Sequence, residues 1–446
     1  METEAAIEAR RESSRSAGRT ARDRMPRADL RRWAPSLRDH DPLVTIEAQN
    51  AIRLPGLASL RRERMSASAW NFYRGAAAVM ARDLGARGGD TGLTVQLCGD
   101  AHILNFGLWA TPERNLAFDL RDFDETLPGP FEWDVARLVA SIHVLARDSG
   151  LDAATAERAV AACLASYRER MSRYAESKQL DIWYDRIDVE EFVSVFKPKD
   201  RELATRHISR KARRRSNRGT VAKITELVDG ELRITLDEPV RVRPDAEEVA
   251  FVEHIFDGYH DSLQEDRRHL LDRFTLVDVV RQVVGVGSVG MRVYLLLLEG
   301  RDGRDPLFLQ IKQAGPSAYE DVCGASAHSN HGQRVVTGKR IIQSATDIFV
   351  GWTTYGGIDF YVRQFRDMKV IPDGRLIAPR LAEFAGACGS VLARSHAKSG
   401  DPVAIASYIG KGRRFDEGLG RFAIVYADQN EADHSALAAA LNRPDG

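Results

Sequence analysis

At Val277 the spacing of apolar residues changes, and that change constrains the fold more than any other feature of the 446 residues. Ahead of it, residues 65–84, 133–146, 153–177 and 247–274 carry apolar side chains at helical spacing, with short strands at 93–97 and 115–121. Behind it, 277–284, 291–299 and 306–313 read as three strands. The first two are joined by Gly285-Val-Gly287-Ser288-Val-Gly290 and the last two by Gly300-Arg-Asp-Gly303. A helix over 333–344, strands over 348–352 and 359–365, and a helix over 381–397 complete the set. Pro128-Gly129-Pro130 reads as a turn and Asp229-Gly230 as a hairpin, with no internal repeat. The expected fold class is α+β, in four stretches. Residues 1–40, with ten arginines and few large apolar groups, are expected not to order themselves. Residues 41–275 form a mainly helical body, 276–370 a smaller β-rich body, and 371–446 a helical return to the first.

Lysine plus arginine equals aspartate plus glutamate at 64 each, so no net field draws the chain to nucleic acid or to an anionic membrane. One stretch departs from this balance: six of the nine residues 210–218 are basic. It reads as a solvated loop, with an anionic partner as the rival reading. The four cysteines lie far apart with no CxxC pair, which argues against zinc and disulfides and fits a reducing compartment. No secretory leader and no apolar run of ~20 residues is evident, so a cytoplasmic protein is expected.

The chemistry concentrates in two passages. In Gly99-Asp100-Ala-His102-Ile-Leu-Asn105, a carboxylate and an amide stand five residues apart on a loop. Asp122-Phe-Asp124-Glu125 follows at the end of a strand. Asp100 is suited to align or accept a hydroxyl proton, while Asn105, Asp122 and Asp124 offer oxygens to a hard cation such as Mg²⁺. Against this stands the common use of Asp and Asn in turns to satisfy local backbone. In the second passage, Gly285, Gly287 and Gly290 let backbone N–H groups approach an anion, and Ser288 adds a hydroxyl. The rival is a plain hairpin with bulges. Lys312 lies in a strongly apolar strand, sharing a face with Phe308 and Gln310, and needs an anionic partner there. His102 reads as a loop organiser, and Asp134 as a helix N-terminal cap or helix-dipole partner.

The stretch from Gly99 to Leu138 resembles the catalytic segment of aminoglycoside phosphotransferases and choline-type kinases. The resemblance rests on Gly99, Asp100, His102 and Asn105, then Asp122-Phe123, then Asp134-Val-Ala136. It implies Asp100 as catalytic base, Asn105 and Asp122 as Mg²⁺ ligands and Asp134 as a brace for the loop. Cys98 stands where those kinases usually have His. Past residue 40 the chain also resembles the bacterial "domain of unknown function 2252" family. That likeness is carried by Phe72-Tyr-Arg-Gly-Ala76, Cys98-Gly-Asp-Ala-His102, Asp122-Phe-Asp-Glu125, Pro130-Phe-Glu-Trp-Asp134, Val284 to Gly290, Arg363-Gln364 and Ala393-Arg-Ser-His-Ala397.

Together these imply a protein-kinase-like two-lobed fold in circularly permuted order, with the catalytic-loop lobe first and the glycine-loop lobe later. Residues 364–369 would be its hinge, with backbone to hold adenine, and Glu320 is the candidate partner for Lys312. The implied activity is an ATP- and Mg²⁺-dependent phosphotransferase acting on a small hydroxylated molecule. Two alternatives stay open: nucleotidyl (AMP) transfer at the same site, and a catalytically inactive nucleotide-binding or regulatory protein.

Overall fold

The computed structural model describes residues 4–442 apart from 195, 197, 215–216, 302–304, 367 and 371–373. Its architecture is mixed α+β with several antiparallel sheets. The largest has six strands, in the order Gly351–Tyr355, Ile358–Gln364, Pro306–Ala314, Val293–Glu299, Thr275–Gln282 and Arg241–Val242. Every neighbouring pair is antiparallel. Strand alternation sorts its side chains. Leu296, Leu298, Leu309, Ile311 and Phe360 form one apolar layer with Val252, Ile255 and Tyr259 of the Ala246–His260 helix. Val280, Leu295, Leu297 and Phe308 form the layer on the other face. Further along that second face the strand Pro306–Ala314 places Gln310 and Lys312, both buried.

The main core belongs to the helices. Phe131–Asp148 is buried over most of its length. Leu381–Ser399 packs on Ala153–Tyr174 so closely that a Cβ on Gly389 would lie 2.2 Å from the Cys163 carbonyl oxygen. Two small sheets edge this core: Thr94–Leu97 with Leu127–Pro130, and Phe106–Ala110 with Leu116–Leu120 and Ile187–Asp188. Where the chain leaves the six-stranded sheet after Gln364, it rejoins the helical body by a reciprocal pair of bonds. Leu108 N donates to Val370 O at 3.0 Å, and Val370 N to Leu108 O at 2.6 Å.

Several expectations need correction. Pro128-Gly129-Pro130 is a strand segment rather than a turn: Leu127–Pro130 pairs with Thr94–Leu97 in a two-stranded sheet, whose edges tolerate proline. The 65–84 helix is broken among Pro55–Ser66, Ala69–Gly75 and Ala77–Ala86, because the Ser68 hydroxyl caps a new start by accepting from Asn71 N at 3.2 Å. The stretch expected not to order carries the helix Glu4–Arg24, packed along Pro402–Ile409. Its arginines find carbonyls at the end of that helix. Arg22 donates to Tyr408 O at 3.1 Å and to Ser407 O, and Arg27 donates to Ile409 O at 2.7 Å. Arg38 then binds Asp83 and Asp433 together, at 2.6–2.9 Å. The expectation rested on the scarcity of large apolar groups, whereas these arginines order the stretch by pairing with carbonyls and carboxylates. The basic run begins at the end of the helix Pro198–Arg213, and its residues 215–216, like 302–304 of the Gly300 turn, lie outside the described residues.

Candidate functional site

The loop after Leu97 turns on Gly99, whose φ of +85° and clearance from Glu125 (a Cβ would sit 2.3 Å from its carbonyl oxygen) leave no room for a side chain. Asp134 holds this turn from the Phe131–Asp148 helix. Its carboxylate accepts from Cys98 N at 2.7 Å and Gly99 N at 3.0 Å, with His396 Nε2 at 3.4 Å. It is thus a brace and not a helix cap. Asp100 Oδ1 accepts from Arg137 Nε at 3.0 Å and Nη2 at 2.8 Å. Arg137 is fully buried, 3.9 Å from the Tyr73 ring centre. Burial raises the Asp100 carboxyl above its ordinary value, and Arg137 only partly opposes this. Asn105, fully buried, donates from Nδ2 to Asp100 O at 2.8 Å and Asp122 O at 3.2 Å, tying loop to strand end. Burial and the nearby Arg74 and Arg137 hold the His102 imidazole far below its usual range, so it is a neutral loop element.

Opposite this loop stands Lys312. Its ammonium donates to Asp124 Oδ2 at 2.6 Å and lies 3.8 Å from Asp122 Oδ1, across 188 residues of sequence. The other Asp124 oxygen accepts from Tyr361 OH at 2.5 Å, and Ser288 Oγ reaches Oδ2 at 3.5 Å. The partner of Lys312 is therefore the Asp122–Asp124 segment. Glu320 instead accepts from Ser317 N at 3.0 Å and lies 3.8 Å from Arg334. Burial raises Asp122, but Lys312, Arg363, Arg121 and Lys369 outweigh it and hold the carboxyl below the ordinary carboxylate range. Gly285 and Gly290 have φ of +68° and +88°. Their loop is fixed against the helical body: Leu54 N donates to Gly290 O at 2.8 Å, Arg64 Nη1 to Gly285 O at 2.9 Å, and Arg53 to Val289 O.

Two cavities meet at this point, sharing Arg74, Asp122 and Ser288 as walls. One, of about 300 Å³, contains Asp100, Asp124 and Glu125. The other, of about 370 Å³, runs under the six-stranded sheet. Its walls carry Arg74, Arg121, Lys312, Lys339, Arg363, Arg366 and Lys369 against only Asp122 and Asp347. Seven basic side chains against these two acids, or three with the Asp124 that pairs with Lys312, leave a local excess of basic groups in a chain with none overall. Such a lining concentrates anions. Burial, with Arg363 and Arg340 adding to it, lowers Lys339 to about 8.

Among the described residues, no three His, Cys, Asp or Glu side chains come together as a metal centre. Mg²⁺ needs fewer, because it keeps waters and takes phosphate oxygens. The Asp122 carboxylate, facing both cavities, fits that need, whereas Asn105 is buried off both cavities and its Oδ1 accepts from Arg121 Nε at 3.5 Å, a partner it would have to give up for a cation. The Asp124 oxygens are already held by Lys312 and Tyr361, so Asp124 serves as the lysine's partner.

Of the residues singled out from the sequence, Asp100, Asp122, Asp124, Gly285, Gly287, Ser288 and Lys312 line one or other of these two cavities, whereas Asn105 and Gly290 line neither. Sequence reading missed Arg137, Arg74, Arg121, Lys339, Arg363, Glu125 and Tyr361. Arg74 and Arg363 stood inside quoted motifs, but nothing in their spacing showed that they face the same space. The chain matches the family model described as an uncharacterized protein conserved in bacteria (DUF2252) over residues 53–440, and it belongs to that family. No significant match was found among curated proteins or among solved structures.

Proposed function

We propose that this chain is an ATP- and Mg²⁺-dependent phosphotransferase acting on a small hydroxylated molecule, built as a permuted kinase-like fold. The observation that carries this reading is the approach of Lys312 to Asp122 and Asp124. It joins a glycine loop and its lysine to an acidic strand end and the Asp100 loop, around two connecting cavities. Phosphoryl transfer asks the protein mainly for positioning and for charge stabilisation, which is what such a juxtaposition supplies. In this reading Lys312, Ser288 and the Gly285–Gly290 backbone grip the phosphate chain. Asp122 and Asn105 would hold Mg²⁺, which when bound neutralises charge on the phosphates.

Asp100, oriented by Arg137, aligns the acceptor hydroxyl in the smaller cavity and takes its proton. A carboxyl raised by burial is a better proton acceptor than an exposed one. Residues 364–369, which lead into the Leu108–Val370 crossing, would be the hinge between lobes.

The test is ATP consumption by the purified chain in the presence of Mg²⁺. Asp100→Ala is expected to lower turnover at least 100-fold, the scale of a lost general base, while nucleotide binding persists. Asp122→Ala is expected to remove metal-dependent binding itself. Wild-type consumption in both variants contradicts the assignment. AMP rather than ADP among the products would redirect it to nucleotidyl transfer.

A further inference from the structure

On the cavity face of the six-stranded sheet, Lys312 is aligned with Tyr361, and two residues along the strands Gln310 is aligned with Arg363. That offset is about 6–7 Å, towards the chain crossing that follows Gln364. The second row is a continuous polar ladder. Arg363 Nη2 donates to Gln310 Oε1 at 3.0 Å, and Gln310 Nε2 donates to Gln282 Oε1 at 2.9 Å. This end of the cavity has apolar walls in Trp109, Ala110 and Phe365 but few spare backbone groups. Gln364 N donates to Asp347 Oδ2 at 2.5 Å, and Phe365 N to Phe308 O at 2.9 Å.

Lys339, from the helix His331–Ile342, and Arg121, from the end of the strand Leu116–Leu120, line the same cavity. Among the described residues, neither they nor Arg363 have a carboxylate within 4 Å. Asp347, the acid at this end, accepts from Phe349 N at 2.9 Å and from Gln364 N, and its charge partly offsets those of Lys339 and Arg363. Cations gathered in a cavity without matching carboxylates are costly unless an anion joins them.

We propose that Lys339, Arg363 and Arg121 form a second phosphate subsite, separate from the one at Lys312, so that the cavity takes a small molecule carrying phosphate groups at two separated positions. This rests on the reading of the Lys312 end as the phosphate clamp of a phosphotransferase. Either a nucleotide with a further phosphate on its sugar or an inorganic phosphate chain supplies that chemistry. Guanidinium and ammonium groups lining one cavity make charge-assisted hydrogen bonds to an anion that a neutral ring cannot replace.

The experiment is calorimetric titration of the full chain with inorganic tripolyphosphate, AMP and adenosine 3′,5′-bisphosphate, in Mg²⁺-free buffer at fixed ionic strength. Tripolyphosphate is expected to bind the wild type, and Lys339→Gln and Arg363→Gln each to weaken it roughly tenfold, as loss of a charge-assisted bond does. Lys339→Arg, which keeps the charge, retains binding. A Lys339-dependent preference for the bisphosphate over AMP identifies a nucleotide with a second phosphate; tripolyphosphate binding without that preference identifies an inorganic chain.

The proposal is overturned if the wild type binds neither tripolyphosphate nor the bisphosphate, or if both neutralising variants melt as the wild type does and bind with unchanged affinity. Should a variant not fold, the wild-type titration still decides through the first of these outcomes. ATP turnover is measured beside it. Turnover with binding indifferent to Lys339 and Arg363 removes the second subsite alone. Lys339-dependent binding without turnover removes the phosphotransferase reading alone.

Discussion

Asp122 and Glu125 stand three residues apart, and their surroundings push them in opposite directions. Burial raises Glu125 to about 7, and the Ala318 N–H at 2.6 Å and Arg334 only partly offset it. Asp122 is driven down by four cations. Between the ordinary carboxylate range and about pH 7 the folded chain therefore holds a proton on Glu125 that the unfolded chain has lost. Stability attributable to Glu125 is present at low pH and declines as pH rises through that window. Asp122 contributes in the other sense: its share is present above the ordinary range and is lost as pH falls below it. Urea unfolding from pH 4 to pH 8 should show the first slope, and Glu125→Gln should flatten it. An unchanged slope in that variant would assign the titration elsewhere. Arg137 matters at the same scale. Arg137→Met leaves the partly exposed Asp100 carboxylate without its partner, so a loss of about 1–3 kcal/mol of stability is expected in denaturant unfolding. A loss below 1 kcal/mol would mean that Asp100 does not depend on it.

Among the elements, Ala153–Tyr174 and Leu381–Ser399 pack closely, and Gly389 sets their separation. Gly389→Val drives two methyl groups towards the Cys163 backbone and should cost about 1–3 kcal/mol in thermal or chemical unfolding. A neutral result would show that the helices separate freely. Most such elements were legible from periodicity, because a helix or strand with one buried face writes its period into the sequence. Four of the strands in the six-stranded sheet, the helix carrying Asp134 and the hairpin at Asp229-Gly230 appear where the pattern sets them, whereas the strand expected over 348–352 lies at Gly351–Tyr355 and Arg241–Val242 was not read at all. What failed was local and electrostatic. Ser68 interrupts a helix that spacing alone would continue, and Pro128–Pro130 joins a strand because a two-stranded edge needs few donors. The order in Glu4–Arg24 comes from arginines meeting distant carbonyls, which no local window contains. The same limit applies to the site. Asp100, Asn105, Asp122 and Lys312 could be named from motifs, whereas Arg137 and Lys339 act only through partners tens or hundreds of residues away.

At the scale of the whole molecule, a chain with equal numbers of acids and bases gathers its excess positive charge into one cavity beneath a sheet. Its net charge would not steer an anion, but its local field does, at distances below the ~10 Å screening length of ordinary buffers. Anion affinity should accordingly fall as ionic strength rises, while the melting temperature of the free chain changes little. The central claim is that residues 188 positions apart in sequence, Asp124 and Lys312, close one phosphate site beside Asp122. Titration of ATP into the wild type and Asp122→Ala, with and without Mg²⁺, tests it most directly. The account predicts saturable wild-type binding that tightens with Mg²⁺ and a variant in which the metal makes no difference. Equal Mg²⁺ enhancement in both proteins, or no ATP binding by the wild type, would contradict it.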